Sequence, residues 1–484
     1  VSGFRQRVIQ GLLWRSGVAG GQQVTQVLFT ILLARLLTTA DFGLVAMAFL
    51  VTRLVQAISQ VQFGAAIIQD ENVSEAQVSA LFLLSVGINA VMSAACCIAA
   101  PLAADFFDEP RLTPVLQVMS WGLLLSSLSF PTVLLRKRMD FGAYSAHELY
   151  SMLAGNLLAV AAAFAGMGVW SLVLRMMVQR LVFAVSIWRI TRWRPVRPSF
   201  AGIGGHMRYG LHLLGSNILY FASQNMAPIL IGRFEGKETL GCFTIAFNLA
   251  LVPAQQVQGV FTTVLTPAFA SIQRDLASFR RRAYASTFAL GLVYIPAMLG
   301  LAAVARPFVR FAYGEKWAPV AGFLALLACA GLVKGLEHLL RSVILATGRS
   351  AAIVRITAIE TGSMLLFLAV GGGLGGTTGL VVAYVASAFV SGAFTLREAH
   401  AAVGGDPLFL RAIGRSLLAA VAMAAVVAAV AVLAPWQSGV TLLTQVLVGV
   451  ALYLLLRVRA LSDEERALVS GWPVAGLVVA RRQT

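Results

Sequence analysis

Charge is scarce in this 484-residue chain. Charged residues make up 12% of it, and only 20 positions are Asp or Glu. That share is about half of what an ordinary soluble domain carries. Set against a hydrophobic fraction of 59% and a mean hydropathy of +0.83, it leaves too little polar surface to cover the apolar mass. A water-soluble globule is excluded, and lipid is the solvent for most of the chain. Cysteine is rare too. Cys96, Cys97, Cys242 and Cys329 all fall in apolar runs, and no pair has zinc-like spacing. Neither a disulfide framework nor a zinc site is expected, and the four read as small core residues. Long polar loops are also missing. The longest on the side opposite the basic loops, near 101–111 and 306–316, run to about a dozen residues and carry no HxE, DxD or paired-histidine cluster. A membrane glycosyltransferase or polymerase needs acid and base residues on a substantial outer loop, so an enzyme ranks below a transporter.

What is present is a succession of apolar runs of roughly 20 or more residues, each long enough to cross a bilayer. Fourteen are predicted, near 8–37, 42–68, 75–100, 112–135, 144–165, 168–188, 207–232, 239–268, 283–305, 317–346, 351–371, 376–396, 412–434 and 438–456. Asp41, Pro101, Gly166, Pro195, Gly314, Gly348, the GGGLGG run at 371–376 and Pro435 punctuate them. The first run is too long for a signal-peptide core and reads as a membrane span.

The net charge of +17 invites a nucleic-acid reading, but its distribution argues against one. With the N-terminus inside, 26 of the 37 Lys and Arg fall on one set of ends and loops, seven on the other, and four at membrane depth. That asymmetry predicts both termini in the cytoplasm and an even number of spans.

The chain also repeats itself. Gln26, Arg35 and Gly43 match Gln224, Arg233 and Gly241 at an offset of 198. Pro114 and the LLR at 134–136 match Pro319 and the LLR at 339–341 at 205. Glu148, Ser151, Met152 and Leu153 match Glu360, Ser363, Met364 and Leu365 at 212. Six spans per copy make the two lobes parallel repeats. The expected organisation is an N-lobe over 1–198, a C-lobe over 199–404, two further spans over 405–457 and a cytoplasmic tail over 458–484. The tail carries LSDEERALV, with Ser462 and Glu465 at capping-box spacing.

Several spans carry polar faces. The stretch VKGLEHLLRSV places Lys334, Glu337, His338 and Arg341 at i, i+3, i+4 and i+7, on one helix face. Arg15, Gln22 and Gln26 share a face of the first span; Arg53 and Gln56 share one of the second. Arg175 and Arg180 lie within the sixth, Gln224 within the seventh, and Glu148 and Glu360 in matching places of the two repeats. A charge at the bilayer centre costs roughly 2.5–3.5 kcal/mol, so such stripes should face protein or water. Two readings of the 334–341 face stay open. Lys334, Glu337 and Arg341 pair locally, or the face lines a hydrated cleft between the lobes and holds an anionic headgroup. The candidate substrate-binding residues are Arg15, Arg53, Arg175, Arg180, Lys334, Arg341, Gln22, Gln26, Gln56 and Gln224. Glu148, Glu360, Glu337 and His338 are the candidate ion-coupling residues. No catalytic residue, metal or cofactor is expected.

The segments ARLLTTADFGLVAMA (34–48), PLAADFFDEPRLTPVLQ (101–117), FPTVLLRKRMDF (130–141), GMGVWSLV (166–173) and RPFVRFAYGEKWAPV (306–320) resemble bacterial polysaccharide flippases. These are the Wzx-type branch of the multidrug/oligosaccharidyl-lipid/polysaccharide exporter superfamily. The resemblance covers nearly the whole chain. It implies an all-α polytopic membrane protein of fourteen transmembrane helices, two six-helix lobes and a central cationic cavity. It implies movement of an undecaprenyl-diphosphate-linked oligosaccharide from the cytoplasmic to the periplasmic leaflet of the bacterial inner membrane, coupled to an ion gradient. The implied partners are that lipid-linked oligosaccharide, membrane lipid, a polysaccharide polymerase and chain-length proteins, with no nucleic acid. A drug/cation antiporter of the same superfamily is the alternative, but it would want acidic groups at depth, and here the deep charges are mostly basic.

Overall fold

The computed structural model describes residues 20–59, 73–138, 140–201, 224–260, 275–433, 439–462 and 465–466, with a few isolated positions between them. Every regular element among them is helical. Residues 20–36 form one helix. The rest are α1 (Thr39–Ser59), α2 (Glu75–Ile98), α3 (Ala100–Phe107), α4 (Leu112–Leu128), α5 (Thr132–Lys137), α6 (Phe141–Phe164), α7 (Val169–Thr191), α8 (Gly236–Val260), α9 (Leu276–Ala303), α10 (Ala305–Ala312), α11 (Ala318–Ala346), α12 (Ser350–Ala402), α13 (Pro407–Leu433) and α14 (Gly439–Arg459).

Among the described residues, nine stretches are long and apolar enough to span a bilayer: α1, α2, α7, α9, α11 (with the turn before it), both halves of α12, α13 and α14. α4, α6 and α8 overlie three more of the predicted runs, and the seventh run lies largely outside the described residues. The protein is a multi-pass membrane protein. Its outer faces fit that solvent: Val91, Leu366, Leu418 and Val440 are exposed apolar side chains along the spans.

Helix ends follow local chemistry. Ser74 caps α2 in a full capping box with Gln77, and Asp275 accepts from the amides of Ala277 and Ser278 to start α9. The glycine run in α12 allows its break. Gly376 sits at φ 53°, and a Cβ on Gly371 or Gly379 would come within 3.0 Å of the other residue's carbonyl oxygen. The break separates the predicted spans near 351–371 and 376–396.

The chain forms two compact units, Val1–Thr244 and Ile245–Thr484. α8 begins in the first and ends in the second. Some positions matched by the offsets share local detail. α3 and α10 are both eight residues long, start five positions after Ala95 and Gly300 respectively, and stand 205 residues apart throughout. Ser151 and Ser363 each donate to the carbonyl three residues back, that of Glu148 (2.8 Å) and of Glu360 (3.1 Å).

In unit 2 the segment after α14 is tied down by charge. Arg457 donates to both oxygens of Glu465 at 3.0 and 2.7 Å, lies over the Phe288 ring, and is 1% exposed. Burial would raise the Glu465 carboxyl, but the bonds from Arg457 and from the Ser462 amide, with the charges of Arg457 and Arg415, hold it below the usual carboxylate range. The expected Ser462–Glu465 capping pair is present, with the Ser462 amide donating to Glu465 at 2.9 Å. The four cysteines are free; Cys96 and Cys242 are buried.

Candidate functional site

In unit 1, α6 and α7 pack closely because Gly155 has no side chain. A Cβ there would lie 2.6 Å from the Arg175 carbonyl oxygen. Beside this crossing is a cavity of about 300 Å³. Glu148 and Ser151 from α6, and Arg175, Gln179 and Arg180 from α7, supply its polar lining; Phe49, Met176 and Phe183 supply the apolar part. Arg180 donates to the Gly122 carbonyl in α4, which anchors its guanidinium on the wall. Arg53 is exposed, 5.6 Å from the centroid of Phe49. Three sequence candidates therefore line one space, and Arg53 stacks on a fourth lining residue. Two arginines against one glutamate leave the lining cationic.

The remaining unit 1 candidates are less closely gathered. Gln22 is half-buried and donates to the Ser145 carbonyl at 3.3 Å, a residue one turn before Glu148. Gln26, Gln56 and Gln224 are half-buried on their helices. Arg15 lies outside the described residues. Gln179 and Ser151 are missing from the candidates above, although Gln179 stands four residues after Arg175 and Ser151 three after Glu148, so helical spacing already aligned them.

In unit 2, the 334–341 face is part of a larger network. Lys334 places three donors on three acceptors: Glu337 at 2.9 Å, Glu360 at 2.7 Å and the Ser391 hydroxyl at 3.1 Å. Arg341 reaches Glu360 at 2.7 Å and Thr357 at 3.3 Å, with Glu337 at 3.9 Å. Glu360 thus bridges two cations, and Lys334 joins α11 to both halves of α12. Glu337 is 2% exposed, and its second oxygen has no hydrogen-bond partner. His338 is half-buried on the same helix. Two cations and two carboxylates make the cluster electrically neutral. The local pair Lys334–Glu337 is real, but the shorter contacts go to Glu360 across the helix interface. Ser391 and Thr357 had no signal in the sequence, because nothing in it tells which faces of α11 and α12 meet.

This is a helical membrane fold with charged and amide groups gathered between apolar helices. A family model described as polysaccharide biosynthesis protein matches residues 32–322. The chain belongs to that family. It is 26% identical to the lipopolysaccharide biosynthesis protein WzxC of Escherichia coli over 393 residues, which is 79% of this chain and 78% of that protein. It is likewise 26% identical to the teichuronic acid biosynthesis protein TuaB of Bacillus subtilis, covering 74% of this chain and 78% of TuaB. Among solved structures, the lipid II flippase MurJ in an inward closed conformation matches with a TM-score of 0.71 at 13% identity, over 92% of this chain and 98% of MurJ. That likeness establishes a shared fold.

Proposed function

We propose that the protein is a flippase. It moves an undecaprenyl-diphosphate-linked oligosaccharide from the cytoplasmic to the periplasmic leaflet by alternating access, for exopolysaccharide or O-antigen synthesis. The observation that carries this reading is the unit 1 cavity, lined by two arginines, one glutamate and two further polar side chains on apolar helices. Guanidinium groups match diphosphate oxygens bidentately, and amide and hydroxyl groups suit sugar hydroxyls. A cation exporter would want the opposite balance of charge. Arg175 and Arg180 bind the diphosphate in this reading, with Arg53 beside them. Glu148, Glu360, Glu337 and His338 serve ion coupling. The neutral unit 2 network suits coupling better than binding, because its cations already have carboxylate partners.

Arg175→Gln is expected to lower surface polysaccharide about tenfold or more in a strain lacking the native gene, at unchanged protein level in the membrane. Arg175→Lys keeps the charge and should retain part of the export. Normal export by the Gln variant would remove Arg175 from the site.

Orientation has its own test. In a background without native cysteine, cysteines at Arg194 and Arg281 should resist a membrane-impermeant maleimide in intact cells, while one at Thr38 should react. Reversed labelling would invert the direction of transport.

A further inference from the structure

Seven exposed cations gather at one end of unit 1. α5 buries Val133 and Leu135 and ends on Arg136 and Lys137, with Arg138 next. The last turn of α7 adds Arg189, and the chain then leaves through Arg192, in the left-handed region at φ 47°, to Arg194 and Arg197. α5 and the end of α7 flank one aromatic cluster. Phe82 lies 5.7 Å from Phe130 and 5.5 Å from both Trp188 and Trp193, centroid to centroid. The stretch after α7 is held against the start of α2. The Val196 amide donates to the Ser79 hydroxyl, the Ser199 amide to the Ala76 carbonyl, and the Gln77 side chain to the Ala201 carbonyl, each at 3.0 Å. Trp188 donates to the Leu128 carbonyl at 2.6 Å.

Correct insertion asks only for Lys and Arg on the cytoplasmic side; it does not ask for their arrangement. Two features go further. In unit 2 four cations of the same predicted side are paired with carboxylates, Arg341 with Glu360, Arg355 with Glu398, and Arg415 and Arg457 with Glu465, while others such as Arg281, Arg282 and Arg349 have no ion pair among the described residues. In unit 1, Arg138, Arg189, Arg192, Arg194 and Arg197 have no ion pair among the described residues. The nearby carboxylates Asp140 and Glu75 sit at their own helix starts. Second, exposed Ile190, Val196 and Phe200 are interleaved with these arginines. Apolar side chains among cations, above a tryptophan pair, are the composition of a surface that sits in the headgroup layer.

We propose that this end of unit 1 is a binding site for the phosphate groups of anionic phospholipids in the cytoplasmic leaflet. Arg136, Arg138, Arg189, Arg192, Arg194 and Arg197 contact phosphate, while Ile190, Val196 and Phe200 enter the acyl boundary. The proposal rests on the cytoplasmic orientation and not on the identity of the transported glycan. Its test uses the full chain in phosphatidylcholine nanodiscs containing phosphatidylglycerol or further phosphatidylcholine with brominated acyl chains, which quench nearby tryptophan. The signal from Trp193 is isolated by difference against Trp193→Phe.

Brominated phosphatidylglycerol is expected to quench at a mole fraction about tenfold lower than brominated phosphatidylcholine. High salt and R192Q/R194Q/R197Q should each abolish that preference, and R192K/R194K/R197K should keep it. Equal quenching by both lipids in the wild type overturns the site. So does displacement of brominated phosphatidylglycerol by millimolar inorganic phosphate or by a trace of undecaprenyl diphosphate, which would assign the charges to a free anion or to the transported lipid. The assay contains no glycan and measures no transport, so loss of the flippase reading would leave its outcome unchanged.

Discussion

Glu360→Gln is expected to abolish polysaccharide export and to lower the melting temperature of the detergent-solubilised protein. Glu360 takes Lys334 and Arg341 at 2.7 Å each, so one substitution breaks two ion pairs. Breaking a buried pair by removing one partner costs about 3–5 kcal/mol, and the partial exposure of Lys334 and Arg341 should reduce that to about 2–3. The melting effect alone does not separate architecture from coupling; the double variant does. In Lys334→Gln,Glu360→Gln the charges leave together, and the structural cost should fall well below that of the single change. If Glu360 only holds α11 to α12, export returns with the melting temperature. If Glu360 carries the coupling proton, the melting temperature recovers and export does not. The second outcome is expected, because Glu360 holds both cations while Glu337, with one unbonded oxygen, remains to share them. Normal export by the Glu360→Gln single variant across several pH values would remove it from coupling.

The sequence made the content of this network legible, but not its closure. Helical periodicity put Lys334, Glu337, His338 and Arg341 on one face, and the 212-residue offset picked out Glu360 with Glu148. It could not show that Glu360 answers Lys334 and Arg341, since which helices touch depends on tertiary packing. The same limit hid Ser391, which lies 57 residues from Lys334 and follows the α12 break. Composition and apolar run length were enough for the membrane class, because a lipid solvent leaves few alternatives to helices. The glycine run at 371–376 was legible as a breaker for a steric reason that the crossing at Gly371 and Gly379 bears out. Arg457 and Glu465 were visible only as a basic span end and a capping residue. Their mutual burial needed the chain to turn back after α14, which no local pattern announces.

The 198-residue offset matched Gly43 with Gly241 without revealing that their helices touch. A Cβ on Gly43 would collide with the Lys237 carbonyl oxygen, and one on Gly241 with the Thr39 carbonyl oxygen, both far inside 3.0 Å. Thr39 and Lys237 are themselves 198 apart, so the contact is reciprocal: each glycine receives the first turn of the other's helix. The atoms in the way are backbone, so they cannot swing aside as a flexible side chain would. Gly43→Ala and Gly241→Ala must each push α1 and α8 apart by about 1 Å or more, and overpacking of this kind costs about 1–3 kcal/mol. The displacement also strains the Glu109–Lys237 ion pair, since Lys237 lies in the first turn of α8, and the seat of Phe107 against Gly232 just before it. Each single variant is therefore expected to melt lower and to export poorly, and Gly43→Leu to fail outright. The two alanine changes should combine non-additively, because once one has separated the helices the other meets less resistance. Gly87 is the control. It lies within α2 with nothing within 4 Å of its Cβ position, so Gly87→Ala should be neutral or stabilising by up to about 1 kcal/mol through helix propensity. Melting and export at wild-type levels in Gly43→Ala,Gly241→Ala would mean that this crossing is not held as closely as its glycines require.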